Sequence, residues 1–247
     1  MQSAHGRTAV FLLVLAFCLA FGPGCKDPNF SNQLTTRQEN SIGAEAAAEL
    51  EAQYPPVADP AVDTPVQSVA AKIFPEAAKL RGDITYRIKV LQSDEINAFS
   101  LPGGRIYITT GMLDKLGGDQ DMLAAVIAHE AAHAALRHGA NQIADAVGKD
   151  DLIDLISEGK YTDIANITLQ LDQSSHSHED EFQADHYGVR FAADSGYNPE
   201  GLLHFFNLME SVADNTIKPA WLQTHPITKS RISRAETDIR DLISAKH

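Results

Sequence analysis

Residues 129 to 133 read HEAAH, two histidines four apart with a glutamate directly after the first. On a helix that spacing puts both imidazoles on one face, close enough to grip a single ion. Glu130 lies about 100° round the helix from His129, bordering the face without joining it, which suits a base acting on metal-bound water. The flanking Met122, Ala125, Val126, Ala132 and Leu136 are apolar, so these polar groups sit in a helix that otherwise reads as buried. Buried polar groups of this kind need a partner or a metal.

A catalytic zinc takes three protein ligands and keeps a fourth position open. His138 does not supply the third: the pattern HExxHxxGxxH needs glycine at 136 and histidine at 139, where this chain has Leu136 and Gly139. His138 is expected to favour the helix C-terminus electrostatically. The stretch SSHSHEDEFQADHYG, 174 to 188, offers His176, His178, Glu179, Asp180, Glu181 and His186. A ligand histidine usually donates its other ring N–H to a carboxylate. A helix supplies a glutamate ligand and such a carboxylate from one face when they stand four apart. Glu181 has Asp185 at that spacing, whereas Glu179 has Gln183 and Asp180 has Ala184. Ser177 can cap this helix, which leaves His176 and His178 to solvent and His186 at the surface or behind a ligand.

The elements that must position these residues follow from periodicity. Ile42 to Gln53 is rich in alanine and glutamate and helical by propensity. Asp59 to Leu80 carries apolar residues at three- and four-residue spacing, with Pro75 as a breaker near its end. Ile84, Tyr86, Ile88 and Val90 alternate with polar residues as in a half-buried strand. Residues 97–101 and 105–109 flank Pro102-Gly103-Gly104, which predicts a hairpin with a type II turn. Asp119 caps a helix through Arg137, ended by Gly139. Further helices are expected over 141–157, 161–172, 178–195, 199–212 and 228–245. The order, a small antiparallel sheet and then helices, is that of one α+β domain over 41–247.

His5 and Arg7 precede an apolar run from Ala9 to Phe21 that ends in Gly22-Pro23-Gly24-Cys25. The run fits the core of a secretory leader and is too short to span a membrane comfortably. A leader over 1–24, a lipidated Cys25 and a polar tether over 25–40 that runs into the start of a helix are expected, in an exported, periplasmic protein anchored by its lipid. The only other cysteine, Cys18, lies inside the leader, so the mature body has no pair for an internal disulfide. With 33 acidic against 20 basic residues, the balance argues against nucleic acid as a partner, since its binding rests on cationic neutralisation of phosphates.

HEAAH followed by EFQAD, with NAFSLPGG at 97–104 and THPITKSR at 224–231, resembles the HtpX, CAAX prenyl protease type 1 and BepA-like family of zinc metallopeptidases. In these gluzincins the glutamate of ExxxD is the third zinc ligand. The resemblance implies a mostly helical, zincin-like domain with one Zn2+ held by His129, His133 and Glu181, Asp185 behind a ligand histidine, and Glu130 as the base. It implies that His225 and Arg231 line the cleft and stabilise the oxyanion, or that His225 takes the open zinc position in a resting form. Asn97, Ala98, Phe99 and Ser100 would offer an edge strand to an extended protein or peptide. The implied activity is endoproteolysis in envelope protein quality control; the rival is an envelope chaperone or assembly factor with a latent metal site. Two features depart from the family. The chain has no membrane span after its leader, so prenylated substrates are not implied, and Ser177-His178 stands where relatives often carry Ser-Arg.

Overall fold

The computed structural model describes residues 34–171, 174–215 and 219–245; the expected leader and Cys25 lie outside them. Thr35 opens α1 (Thr36–Gln53) with a reciprocal cap: its hydroxyl accepts from the Gln38 amide, and the Gln38 side chain accepts from the Thr35 amide. The helix therefore begins within the stretch read as tether. The cause is Glu39, only 1% exposed. Its carboxylate lies 2.7 Å from Arg81 and also pairs with Arg137, whose guanidinium reaches the Leu34 carbonyl. Replacing Glu39 by alanine strands these cations in a buried setting. Glu39→Ala is expected to cost about 3 kcal/mol, the low end for breaking a buried pair because Arg81 keeps Asp83. Urea unfolding of the two proteins measures it.

α2 (Pro60–Leu80) starts at the Asp59 cap and runs through Pro75 without breaking. Pro75 is exposed, so water can satisfy the carbonyl that its missing N–H leaves free. β1 (Arg87–Leu91) buries Ile88 and Val90 and exposes Arg87 and Lys89. β2 (Ala98–Leu101) and β3 (Arg105–Thr109) form the antiparallel hairpin, and Gly103 supplies the positive φ, 79°, that its turn needs. The sheet as a whole is mixed, which corrects the antiparallel expectation. β1 pairs parallel with β3, in the order β1-β3-β2, because β3 is buried along nearly its whole length and takes the centre. The outer side of β1 meets Pro55, Pro56 and Val57 through a bridge and two backbone hydrogen bonds, leaving β2 as the sheet's other edge.

α3 (Thr110–Leu116), which periodicity did not announce, leads into α4 (Gln120–Ala135), the HEAAH helix, capped by Asp119. Every residue of α4 from Leu123 onward is buried, and its many alanines let neighbours approach closely. Arg137 ends it in a left-handed conformation, φ 66°, in place of the expected Gly139, which lies inside α5 (His138–Val147). Gly148, φ 87°, divides the single helix expected over 141–157 into α5 and α6 (Lys149–Ser157). α7 (Tyr161–Leu171) packs on α1, while α8 (His178–Asp194) and α9 (Gly201–Asn215) pack on α4. The short α10 (Ala220–Thr224) precedes α11 (Lys229–Ala245), which lies along α8. The core joins α2, the sheet, α4 and α9 through residues such as Ile73, Ile108, Val126, Phe205 and Trp221. A Cβ on Gly188 of α8 would stand 3.1 Å from the His129 amide nitrogen, so a side chain there would push α8 off α4. None of the described helices is long and apolar enough to cross a membrane.

Candidate active site

α4 delivers His129 and His133, the first turn of α8 delivers Glu181, and the residue after α10 is His225. One donor atom from each of these four buried residues falls within 4.8 Å of all the others. His129 Nε2 stands 3.1 Å from His133 Nε2 and 3.4 Å from His225 Nδ1. Glu181 Oε1 stands 2.8 Å from His225 Nδ1 and 3.4 Å from His133 Nε2. At metal–ligand bonds of about 2.0–2.1 Å, the donors of a tetrahedral ion lie about 3.3 Å apart. The observed edges bracket that value, and two imidazoles, a carboxylate and a third imidazole are a suitable donor set for a divalent metal. The residues present therefore fit an ion.

His129 Nδ1 lies 3.1 Å from Asp185 Oδ1, so one carboxylate orients the first histidine. Arg231 of α11 grips that carboxylate through Nε and Nη2, both at 2.8 Å. Its Nη1 reaches the Pro226 carbonyl at 3.1 Å and Glu181 Oε2 at 2.5 Å. The side chain is 1% exposed, and through these contacts Arg231 clamps two carboxylates. Glu130 points both oxygens into the buried site without a hydrogen bond among the described residues, with His225 Nε2 3.6 Å away. Burial pushes its carboxyl up, and the charges of His225 and His129 pull it part of the way back. Burial would raise Glu181 as well, but His225 and Arg231 outweigh it and hold that carboxyl well below its usual range.

Three residues matter here in ways that local spacing did not reveal. His225 stacks on Trp221, ring centroids 4.8 Å apart at 21°, and its amide donates to the Trp221 carbonyl. His176, expected in solvent, packs 4.2 Å from the His133 ring and 5.0 Å from that of His225, because its amide donates to the Thr224 carbonyl. His138 is buried against His133 and does not merely cap the helix. His178 is exposed, and His186 pairs with Asp238 at 3.0 Å away from the cluster. Of the hairpin residues, Ala98 and Phe99 turn inward, Phe99 stacking on Tyr107, while Asn97 and Ser100 are half-buried. The Trp221 amide donates to the Ile96 carbonyl, tying the start of β2 to the element that carries His225.

Protonation has opposite effects on these imidazoles. Burial holds His133 and His138 below the usual histidine range and takes His176 down to about 3. As pH falls through the unfolded value of about 6.5, the unfolded chain binds these protons first and the three residues' contribution to stability is lost. For His225 burial acts downward, but Glu181 and Glu130 outweigh it and raise the value. Its contribution is complete below about pH 6.5 and lost as pH rises through the raised value. The metal-free chain is therefore expected to be most stable near about pH 6.5 and to melt at lower temperature by pH 5. Calorimetry in the presence of a chelator tests this.

A profile of peptidase family M48 matches residues 60–239. The chain belongs to peptidase family M48. The match takes in β2, all four donors and Arg231, and leaves α1 ahead of it. Among M48 relatives, the chain is 25% identical over 216 residues to the Beta-barrel assembly-enhancing protease of Escherichia coli (strain K12), covering 82% of this chain and 44% of that protein. It is 30% identical over 161 residues to the Mitochondrial metalloendopeptidase OMA1 of Schizosaccharomyces pombe, covering 62% and 47%. To the Metalloendopeptidase OMA1, mitochondrial, of Bos taurus it is 32% identical over 171 residues, covering 62% and 32%. The chain thus spans less than half the length of these M48 proteins.

Proposed function

We propose that this chain is a zinc-dependent endopeptidase of the bacterial envelope, acting on misfolded or specific envelope proteins. The observation that carries the reading is the convergence of one donor atom each from His129, His133, Glu181 and His225 beside the buried carboxylate of Glu130. Zinc there would lower the pKa of its water and polarise the scissile carbonyl. Glu130 takes the proton from the attacking water and passes it to the leaving amine, and a carboxyl raised by burial is the better base for that task. Asp185 lies behind His129 Nδ1 and leaves Nε2 to face the site, and Arg231 pairs with both Asp185 and Glu181. An extended substrate adds to β2 through main-chain hydrogen bonds, since the side chains of Ala98 and Phe99 are occupied in the core.

His225 offers a fourth donor where a catalytic zinc site would keep a position open, so with that imidazole in place the site would be closed. Catalysis requires that imidazole to withdraw, after which it faces the substrate carbonyl as a donor. The closed corner also favours a second reading, an envelope assembly factor with a latent metal site. Purified chain is expected to hold one zinc and to degrade an unfolded protein until chelator is added; one zinc with no cleavage under any condition would favour the assembly factor. Export and anchoring rest on the leader and Cys25, and Cys25→Ser protein remaining in the membrane fraction would exclude lipidation as the anchor.

A further inference from the structure

We propose that His138 is a positioning residue for His133, accepting the Nδ1 proton of that ligand; this rests on the metal reading above. A neutral imidazole carries one proton, and a ring nitrogen that binds a metal must be the bare one. His133 turns Nε2 toward His129 and Glu181, so its proton belongs on Nδ1. That atom lies 2.9 Å from His138 Nδ1. Two ring nitrogens at this distance need one donor and one acceptor, which makes His138 Nδ1 the acceptor and puts its own proton on Nε2. Nε2 faces the Gln183 side-chain oxygen at 3.4 Å and Asp180 Oδ1 at 3.6 Å. Gln183 agrees with this polarity, because its amide nitrogen donates to Glu179 at 3.2 Å and so turns its oxygen to His138.

The backbone is built for the contact. Had α4 continued, its 3.6-residue turn would carry position 138 well round the cylinder from 133. Instead Arg137 takes the left-handed conformation, and His138 folds back under the ligand, only 4% exposed. The two ligand histidines then differ in the charge behind them: a carboxylate clamped by arginine for His129, and a neutral imidazole for His133.

The test compares zinc affinity, by competition with a chromophoric chelator, in the full chain and two variants. His138→Leu is expected to weaken zinc binding by about 10- to 100-fold. His138→Asn, whose side-chain oxygen can still accept, recovers most of that loss, which a purely space-filling role would not require. Nitrogen-15 spectra of zinc-loaded wild type, histidine-labelled, are expected to show the His138 proton on Nε2. Equal affinity in wild type and His138→Leu, no rescue by asparagine, or a His138 proton on Nδ1 would each overturn the inference while leaving the metal reading intact. A wild-type chain that takes up no zinc would remove both.

Discussion

Glu130→Gln protein is expected to keep one zinc per chain and lose proteolysis by about 100- to 10,000-fold. The separation of the two effects is the point of the experiment. Glu130 is not among the four convergent donors, and a glutamine side-chain oxygen can still face His225 in its place. Glutamine matches its volume, so packing around α4 is preserved, and only the capacity to take and return a proton disappears. Metal analysis and hydrolysis of an unfolded protein give the two readouts. In cells, envelope proteins that accumulate with Glu130→Gln but not with wild type are candidate substrates. A phenotype indifferent to the change, with zinc retained, would move the function to the assembly-factor reading.

Arg231→Met is expected to act first on stability. The guanidinium is the shared counter-charge of Asp185 and Glu181, all three nearly inaccessible. Removing one partner of a buried charge cluster costs about 3–5 kcal/mol. For a chain of this size each kcal/mol moves the melting temperature by roughly 2–4 °C, so a fall of about 6–20 °C is expected in the metal-free protein. Zinc should recover part of it, because the ion supplies positive charge at Glu181. Had Arg231 instead been a free oxyanion donor, turnover would fall with melting unchanged. Thermal scans with and without metal separate the two roles.

Much of the site lay in local patterns. HEAAH and EFQAD are each contained in one helix, where spacing alone aims His129, His133, Glu181 and Asp185. The hairpin, with proline and glycine at its turn, was similarly local. What escaped depended on how distant segments meet. Nothing in Arg137 announces a left-handed residue, so the return of His138 beneath His133 was invisible. His176 depends on a bond to Thr224, and the parallel pairing of β1 with β3 depends on which strand the core surrounds. His225 and Arg231 came into view only through the family resemblance. Even then the clamp of Arg231 on Asp185 and Glu181 was not in view, because a motif does not state where an arginine spends its donors.

Trp221 is the one tryptophan of the 247 residues, and it lies face to face with His225. An adjacent imidazole, above all a protonated one, quenches indole emission by accepting an excited electron. Ultraviolet-excited light from this protein therefore reports on a single ring and on whether His225 lies against it. Emission is expected to brighten when a substrate or active-site inhibitor draws His225 away. Opening of the fourth corner could then be timed in a stopped-flow fluorimeter, without a label and separately from peptide-bond cleavage.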